Sequence, residues 1–278
     1  MTAAFLRDPI KLEIFKHLLG SVAAEMGAAL RRSAYSPNIK ERRDFSCALF
    51  DPAGNMAAQA AHMPVHLGAM PLSVQACMRA LQFSLGDVVI MNDPFQGGTH
   101  LPDITVITPV FAAGELIALV ANRAHHADVG GVSPGSMPLA SELFEEGLVI
   151  PPLKLVQRGE SNQALLDMLL ANVRTPQERS GDLRAQIAAN RTGVKRMGEL
   201  IARYGADEVS AAMRGLLHYS ERMTRRLIAA MPDGVYRFSD CMDDDGINPE
   251  EVEIRVAVTI DGDAATVDFS GTAPQCRG

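Results

Sequence analysis

The fold is decided by two apolar, β-branched stretches that a short turn separates: ITVITPVF at residues 104–111 and LIALVANR at residues 116–123. Between them, AAGE at residues 112–115 has the composition of a tight turn. Two runs of strand length on either side of a glycine-containing turn predict a β-hairpin. We expect this hairpin to belong to the β-sheet core of the protein.

Polar residues flank the hairpin at its open end. GGTHLPD at residues 97–103 precedes the first strand, and HHAD at residues 125–128 follows the second. If the turn centres near Ala113-Gly114, antiparallel pairing places Asp103 opposite residues 123–125. His100 then lies just beyond the same end of the hairpin.

Two imidazoles and a carboxylate that meet at one place are typical of a divalent-metal site whose remaining coordination positions are open to water or substrate. The candidate ligands are His100, Asp103 and one of two adjacent histidines, His125 or His126. Pairing alone does not choose between the adjacent histidines, because a shift of one residue in register moves every side chain to the opposite face. Any one of these residues alone is equally consistent with a hydrogen-bonding role at a strand end.

A second glycine-rich loop, DVGGVSPG at residues 128–135, follows the histidine pair and is positioned to cover the site. It lacks the Gly-Lys-Ser/Thr sequence of a P-loop, so nucleotide binding by this chain is unsupported. Glutamates follow at positions 142, 145 and 146, and one of them is expected to act as a general base or an additional ligand. We predict Asp128 and Glu146 as the catalytic residues.

The residues before the hairpin predict two helices and two strands. Apolar residues at helical spacing after Asp8-Pro9 predict a long amphipathic helix to about Ser33. Strands are predicted at residues 45–50 and 87–91, and a second helix at residues 72–82, after a loop that holds His62 and His66.

The residues after the hairpin are first helical and then extended. A short helix around residues 165–169, a longer one after Pro176 and a third at about residues 209–227 are predicted, the last two as a helical hairpin. Alternation of period two then predicts a β-hairpin from strands at residues 252–258 and 265–269. Because an isolated two-stranded ribbon is marginally stable, we expect these strands to pair with the earlier sheet, or the chain to be the front portion of a longer protein.

Together these patterns predict an α+β fold: a β-sheet core with a long N-terminal helix, a central helical-hairpin segment and a C-terminal β-hairpin. The expected regions are an α/β region with the candidate metal site at residues 1–160, a helical region at 161–232, and a β region at 233–278 that is cut short. Non-haem iron oxygenases share the ligand set, but the helical content argues against their jelly-roll fold.

Composition limits the functional classes. The 278 residues are 47% hydrophobic and 21% charged, as in globular proteins generally, and the net charge of -7 argues against a nucleic-acid partner. No segment has the roughly 18 apolar residues of a membrane span, and no signal peptide is evident. The four cysteines are scattered without metal-ligand spacing, which is typical of reduced thiols. A cytoplasmic protein with a small-molecule substrate is expected.

Ordered sequence blocks along the whole chain resemble the hydantoinase B family. That family includes the B subunits of ATP-dependent N-methylhydantoinases, the matching half of 5-oxoprolinases, and subunits of acetone and acetophenone carboxylases. The blocks that carry the resemblance are DPI (8–10), ERRDFSC (41–47), PVHLGAM (64–70), NDPF (92–95), GGTHLPD (97–103), HHADVGG (125–131), EGLVIPP (146–152) and VDFSGT (267–272).

The resemblance implies a ligand set. In the carboxylase members, the histidine and aspartate of an H-x-x-D segment and a histidine about two dozen residues later bind a metal ion. That pattern maps onto His100, Asp103 and His125, which decides between the adjacent histidines. The metal it implies is manganese, with zinc or iron in relatives.

The resemblance also implies a partner. A hydantoinase A-type subunit with an actin-like ATPase fold uses ATP to phosphorylate the substrate, and the B-type subunit completes the reaction within a hetero-oligomer. The expected reaction is hydrolysis of a cyclic amide, a hydantoin or 5-oxoproline; the alternatives are ketone carboxylation or a truncated, non-catalytic assembly module. Family members are usually far longer, so a truncated or split form of the B-type polypeptide is expected.

Overall fold

The predicted hairpin lies at the centre of a seven-stranded sheet in the computed structural model, which describes residues 8–135 and 137–278. Across the described part of the sheet the order is β2-β1-β5-β4-β3-β6-β7, and all neighbouring strands are antiparallel. In chain order the strands are β1 (Phe45–Phe50), β2 (Met56–Gln59), β3 (Val88–Met91), β4 (Asp103–Ala112), β5 (Glu115–His125), β6 (Leu153–Gln157) and β7 (Glu160–Ser161).

The turn between β4 and β5, together with one irregularity close to it, sets the register of the two strands. Ala113 and Gly114 both have positive φ, 49° and 85°, the backbone of a tight turn whose twist matches the strands. Pairing begins at Ala112 with Glu115, shifts by one residue between Val110 and Phe111, and ends at Asp103 opposite His125. Because opposed residues project to the same face, Asp103 and His125 share one side of the sheet.

Helices cover both faces of this sheet. On one face, Leu67, Met70 and Val74 of α3 pack in a buried apolar cluster with strand residues such as Ile107 and Ala121. On the other face, α1 and α6 contact each other and the strands. The helices are α1 (Pro9–Ser33), α2 (Pro37–Lys40), α3 (Pro64–Ala80), α4 (Leu143–Glu146), α5 (Gln163–Ala171), α6 (Pro176–Tyr204) and α7 (Ala206–Ile228).

Helix α1 confirms the predicted N-terminal helix. The Asp8 side chain accepts a hydrogen bond from the Lys11 backbone N–H at 3.0 Å, and Pro9 occupies the first helical position. Most of the predicted apolar residues are buried, namely Phe15, Leu19, Val22, Met26 and Leu30. None of the helices within the described residues is long and apolar enough to cross a membrane.

Helix α3 begins earlier than predicted. The predicted start, residue 72, follows Pro71, but Pro71 lies inside a helix that starts at Pro64. A proline lacks a backbone N–H and breaks one helical hydrogen bond, yet packing of α3 on the sheet compensates for it. His66 therefore lies in the first turn of a helix, and the prediction that it belongs to a loop was wrong.

Buried polar side chains attach α6 to the hairpin. Asn190 Nδ2 donates to the Val106 carbonyl at 3.0 Å and to Thr108 Oγ1 at 3.1 Å, and its Oδ1 accepts from Asn122 Nδ2 at 2.8 Å. Gln186 Nε2 donates to the Ile104 carbonyl at 2.9 Å. Since these amides are fully buried, their hydrogen bonds fix the position of α6 along the hairpin.

Asn190→Leu is expected to lower the free energy of unfolding by about 2–4 kcal/mol, because the buried Asn122 amide group loses one of its two acceptors and keeps only the Gln186 carbonyl, in an interior that cannot supply water. Urea denaturation followed by circular dichroism measures the effect. Arg191→Gln, a change at the exposed neighbouring position, is the control and should alter stability by less than about 0.5 kcal/mol. Equal stability of the two variants would contradict the role of the buried amides.

The chain divides into two compact units. The first contains the described residues up to Pro138 together with Glu146–Leu217, and the second contains Leu139–Glu145 and His218–Gly278. The three-region division predicted from the sequence remains a prediction.

The second unit has its own three-stranded sheet, in the order β10-β9-β8 among the described residues: β8 (Gly234–Met242), β9 (Val252–Asp261) and β10 (Ala264–Asp268). Strands β9 and β10 confirm the predicted C-terminal hairpin. The expectation that they pair with the earlier sheet was wrong, because β9 pairs with β8 instead. No strand was predicted at β8, whose apolar residues are fewer and interrupted.

Candidate metal centre

The structure brings His100, Asp103 and His125 together at the open end of the hairpin. Asp103 begins β4, His125 ends β5, and His100 lies in the loop before β4. Each histidine places Nδ1 3.2 Å from an oxygen of Asp103: His100 at Oδ2 and His125 at Oδ1. The two imidazole rings lie 5.0 Å apart, centre to centre.

These three side chains fit a divalent ion. One ligand atom from each lies within 4.8 Å of the other two. Two donors that bind one ion at about 2.1 Å each lie at most about 4.2 Å apart, so the shifts required are no more than about 1 Å. Two imidazoles and a carboxylate also form a donor set that zinc, manganese and iron accept. Their role as ligands remains a prediction.

Asp103 is held as a carboxylate. Burial raises the pKa of its carboxyl, but hydrogen bonds with His100, His125 and His66 outweigh burial and hold the pKa well below its usual range. Thr99 Oγ1 donates a further hydrogen bond to Oδ2 at 2.7 Å. A buried carboxylate that stays ionised across the physiological range provides the negative charge that a cation site needs.

His100 is the accessible member of the group. Its side chain is 35% exposed, compared with 12% for His125 and 1% for Asp103. The hydrogen bond with Asp103 raises the pKa of His100; burial opposes this, and the charges of Asp103, Asp44 and Glu146 add to it. A substrate would therefore approach the group from the His100 side.

Metal affinity is expected to increase with pH. Because the pKa of His100 is raised in the metal-free fold, its imidazole keeps its proton to a higher pH, and a metal ion must displace that proton. Affinity therefore falls as the pH drops through the pKa of His100. Titration with Mn²⁺ between about pH 5 and pH 8 tests this. His17→Gln, at an exposed histidine of α1, should leave the profile unchanged, whereas a flat wild-type profile would contradict the assignment of His100.

His66 of α3 also lies beside Asp103, and the sequence did not predict it there. The side chain of His66 is 2% exposed, and its Nε2 lies 3.4 Å from Asp103 Oδ2 and 3.4 Å from Asp44 Oδ1. Such a group orients a ligating carboxylate. The block PVHLGAM at residues 64–70 carries the signal, but a correct start for α3 was needed to place His66 beside β4.

The backbone around the loop leaves little freedom. Gly97 has φ +91°, and a Cβ added there would lie 2.4 Å from the carbonyl carbon of Leu72. A Cβ on Gly98 would lie 2.5 Å from the Asn92 carbonyl oxygen. The Asn92 amide donates to the carbonyls of Leu101 at 2.8 Å and Leu148 at 2.9 Å. Only glycine fits at the two positions, and the loop that carries His100 is fixed by its surroundings.

His126 faces away from the group. It is 1% exposed, its Nε2 lies 2.9 Å from Gln186 Oε1, and its backbone N–H donates to the Pro102 carbonyl at 2.8 Å. Burial and the nearby charge of Arg179 lower the pKa of His126, which keeps it neutral. The geometry therefore selects His125 as the histidine that meets Asp103.

The two predicted catalytic residues lie outside this ligand group. Asp128 is buried, and its Oδ1 accepts hydrogen bonds from the Gly130 N–H at 3.1 Å and Arg174 Nη1 at 3.0 Å, while Oδ2 accepts from the Arg174 N–H. This arrangement holds the glycine-rich loop. Glu146 is partly exposed, and its charge contributes to the raised pKa of His100. Catalysis by either residue remains a prediction.

Comparison with known proteins identifies relatives over nearly the whole chain. The family model described as Hydantoinase B/oxoprolinase matches residues 8–278. Over 98% of its own length, the chain is 39% identical to 5-oxoprolinase 1 of Arabidopsis thaliana. Over 96% of its own length, it is 38% identical to a Pseudomonas sp. protein named as the putative B subunit of a D-/L-hydantoinase. It spans 23% and 47% of those two proteins, which is less than half of each.

Solved structures share the fold. The ATP-dependent caprolactamase of Pseudomonas jessenii matches 97% of the chain with a TM-score of 0.90 and 34% identity, and the chain covers 47% of that protein. A nucleotide-free acetone carboxylase matches 96% with a TM-score of 0.85 and 22% identity, over 38% of its own chain. At that identity the second match establishes the fold alone. The extent and identity of these matches show that the chain belongs to the hydantoinase B/oxoprolinase family.

Proposed function

We propose that this chain supplies the metal-binding part of an ATP-dependent enzyme that hydrolyses a cyclic amide, a hydantoin or 5-oxoproline. The observation that carries the proposal is the convergence of His100, Asp103 and His125 at the accessible end of the hairpin. The names of the relatives support the substrate class, since they include a 5-oxoprolinase and the B subunit of a hydantoinase.

His100, Asp103 and His125 would hold the ion, with manganese the first choice and zinc or iron the alternatives. A bound divalent ion polarises a carbonyl group and lowers the pKa of water. The chain's own residues prepare the site: Asp103 stays ionised, and Thr99 and His66 fix its orientation.

Two further residues have proposed roles beside this group. Glu146 is the proposed general base, because it is partly exposed and its charge acts on His100. Asp128 is the second predicted catalytic residue, and its ion pair with Arg174 supports a role in holding the loop at residues 128–135.

ATP use is assigned to a partner. This chain has no P-loop sequence, whereas the similar caprolactamase is named as ATP-dependent and the Pseudomonas sp. relative is named as one subunit of its enzyme. We therefore propose a hetero-oligomer in which a hydantoinase A-type ATPase phosphorylates the substrate and this chain completes hydrolysis. Four free cysteines are compatible with the cytoplasm as its location.

Ketone carboxylation is the second candidate, and the fold shared with acetone carboxylase favours it. A non-catalytic assembly module is the third, because the chain spans less than half of its relatives.

Reconstitution of the chain with the A-type subunit distinguishes these candidates. ATP-dependent ring opening of a hydantoin or 5-oxoproline, lost on treatment with a chelator and restored by Mn²⁺, is the expected result. Bicarbonate-dependent consumption of a ketone would favour the carboxylase. Metal binding without turnover of any of these substrates would favour the assembly module.

A further inference from the structure

Arg123 is a buried cation directly behind the candidate metal centre. It lies in β5 opposite Thr105 of β4, two residues before His125 and on the same face of the sheet as Asp103. Its side chain is fully buried, with 0% of the residue exposed. Burial lowers the pKa of its guanidinium, and the negative charge of Asp103 opposes that lowering.

The guanidinium joins three segments of the chain. Nε donates to Thr105 Oγ1 at 2.8 Å in β4, and Nη2 donates to Ser73 Oγ at 2.6 Å in α3. Nη2 also lies 3.4 Å from the Gly97 carbonyl oxygen, at the start of the loop that carries His100. Ser73 Oγ in turn donates to the same Gly97 carbonyl. Arg123 therefore reaches this loop both directly and through Ser73.

Stability alone does not explain a guanidinium at this position. Among the described residues Arg123 Nη1 finds no hydrogen-bond partner, although it is buried. Burying a charge with one unpaired nitrogen carries a desolvation cost that an apolar side chain of similar volume would avoid. The contacts to Gly97 and Ser73 provide a different reason for its presence.

We propose that Arg123 is a positioning residue for the metal centre. It holds Gly97 at one end of the loop while β4 holds Asp103 at the other, so that His100 and Asp103 keep the spacing that one ion requires. The proposal rests on the proposed function, because it presumes that the centre binds a metal ion.

The direction in which metal affinity changes on substitution of Arg123 distinguishes a positioning role from a purely electrostatic one. A cation next to a divalent ion repels it, so loss of the charge alone would strengthen metal binding. Loss of positioning instead weakens metal binding, and substitution of groups that orient ligands typically lowers metal affinity by about 10- to 100-fold. Lysine keeps the charge but cannot replace the planar fork that contacts Thr105 and Ser73 together, so Arg123→Lys should weaken binding as well.

The test uses the full chain and the metal ions alone. Mn²⁺ affinity by calorimetry and the visible absorption spectrum of bound Co²⁺ are measured for Arg123→Met, Arg123→Lys and Ser73→Ala. Arg179→Met is the matched control: Arg179 is also buried, at 2% exposed, but pairs with Glu178 and Asp182. We expect weaker Mn²⁺ binding and an altered Co²⁺ spectrum in the first three variants, and neither change in folded Arg179→Met.

Each outcome has one meaning. Wild-type or tighter affinity with an unchanged Co²⁺ spectrum in the Arg123 variants would overturn the positioning role while leaving the metal centre intact. If Arg123→Met does not fold, Ser73→Ala decides: a wild-type affinity and spectrum in that variant would also overturn the role. A wild-type chain that binds neither ion would overturn the metal centre itself, and this inference with it.

Discussion

Asp103→Asn is expected to reduce metal affinity by more than about 100-fold and to abolish the metal-dependent activity of the reconstituted enzyme. Asparagine has the same shape, so the change removes the charge and leaves the volume. The loss of a ligand should exceed the 10- to 100-fold effects of groups that merely orient ligands. The amide also places N–H donors where Asp103 now accepts hydrogen bonds from Thr99, His100 and His125.

The matched control for this change is Asp87→Asn. Asp87 is equally buried, pairs with Lys154 at 2.8 Å and accepts hydrogen bonds from backbone N–H groups. Its substitution should lower the free energy of unfolding without changing the metal stoichiometry, which elemental analysis of the purified protein measures. A full complement of metal in folded Asp103→Asn would rule out the proposed centre.

The second large effect is that substitutions at the two adjacent histidines should have opposite consequences for metal content and for stability. His125→Ala should lose the metal ion, with a smaller change in stability than His126→Ala, because its imidazole lies at the end of β5 and is 12% exposed, compared with 1% for His126. His126→Ala should keep the ion but lower the free energy of unfolding by about 2–4 kcal/mol, because it opens a cavity and leaves Gln186 Oε1 without its partner.

Measuring metal content and urea denaturation on both variants makes each the control for the other. The ligand assignment fails if folded His126→Ala loses the ion while His125→Ala retains it. If both variants lose the ion while remaining folded, the strand end as a whole determines binding, and the separate roles assigned to the two histidines are wrong.

The order of apolar and polar residues along the chain predicted much of the first unit, because it indicates which residues of a helix or strand are buried. The apolar spacing after Pro9 predicted α1 to Ser33, and the two apolar runs on either side of the turn at Gly114 predicted the central hairpin. These signals depend only on neighbours in the chain, so one sequence is enough to find them.

Contacts between distant segments could not be predicted in this way. His66 reaches Asp103 because α3 begins at Pro64, and packing on the sheet keeps the helix intact through Pro71. Arg123 reads as one polar residue in an apolar strand, and its role depends on Ser73 and Gly97 in other segments. Strand β8 has mostly exposed residues and therefore lacks the strong apolar pattern that marks a strand.

The irregularity between Val110 and Phe111 has a chemical consequence at the far end of the hairpin. At this point β5 contains one residue, Ile117, that has no partner in β4, and Asp103 is therefore paired with His125. An uninterrupted ladder counted from the turn would set Ala124 against Asp103, which would turn the ring of His126 toward the aspartate and that of His125 toward α6. Which of the two histidines faces Asp103 thus depends on whether the number of β5 residues between the turn and the strand end is odd or even. One additional residue in β5, located near the turn, decides this for the far end of the hairpin.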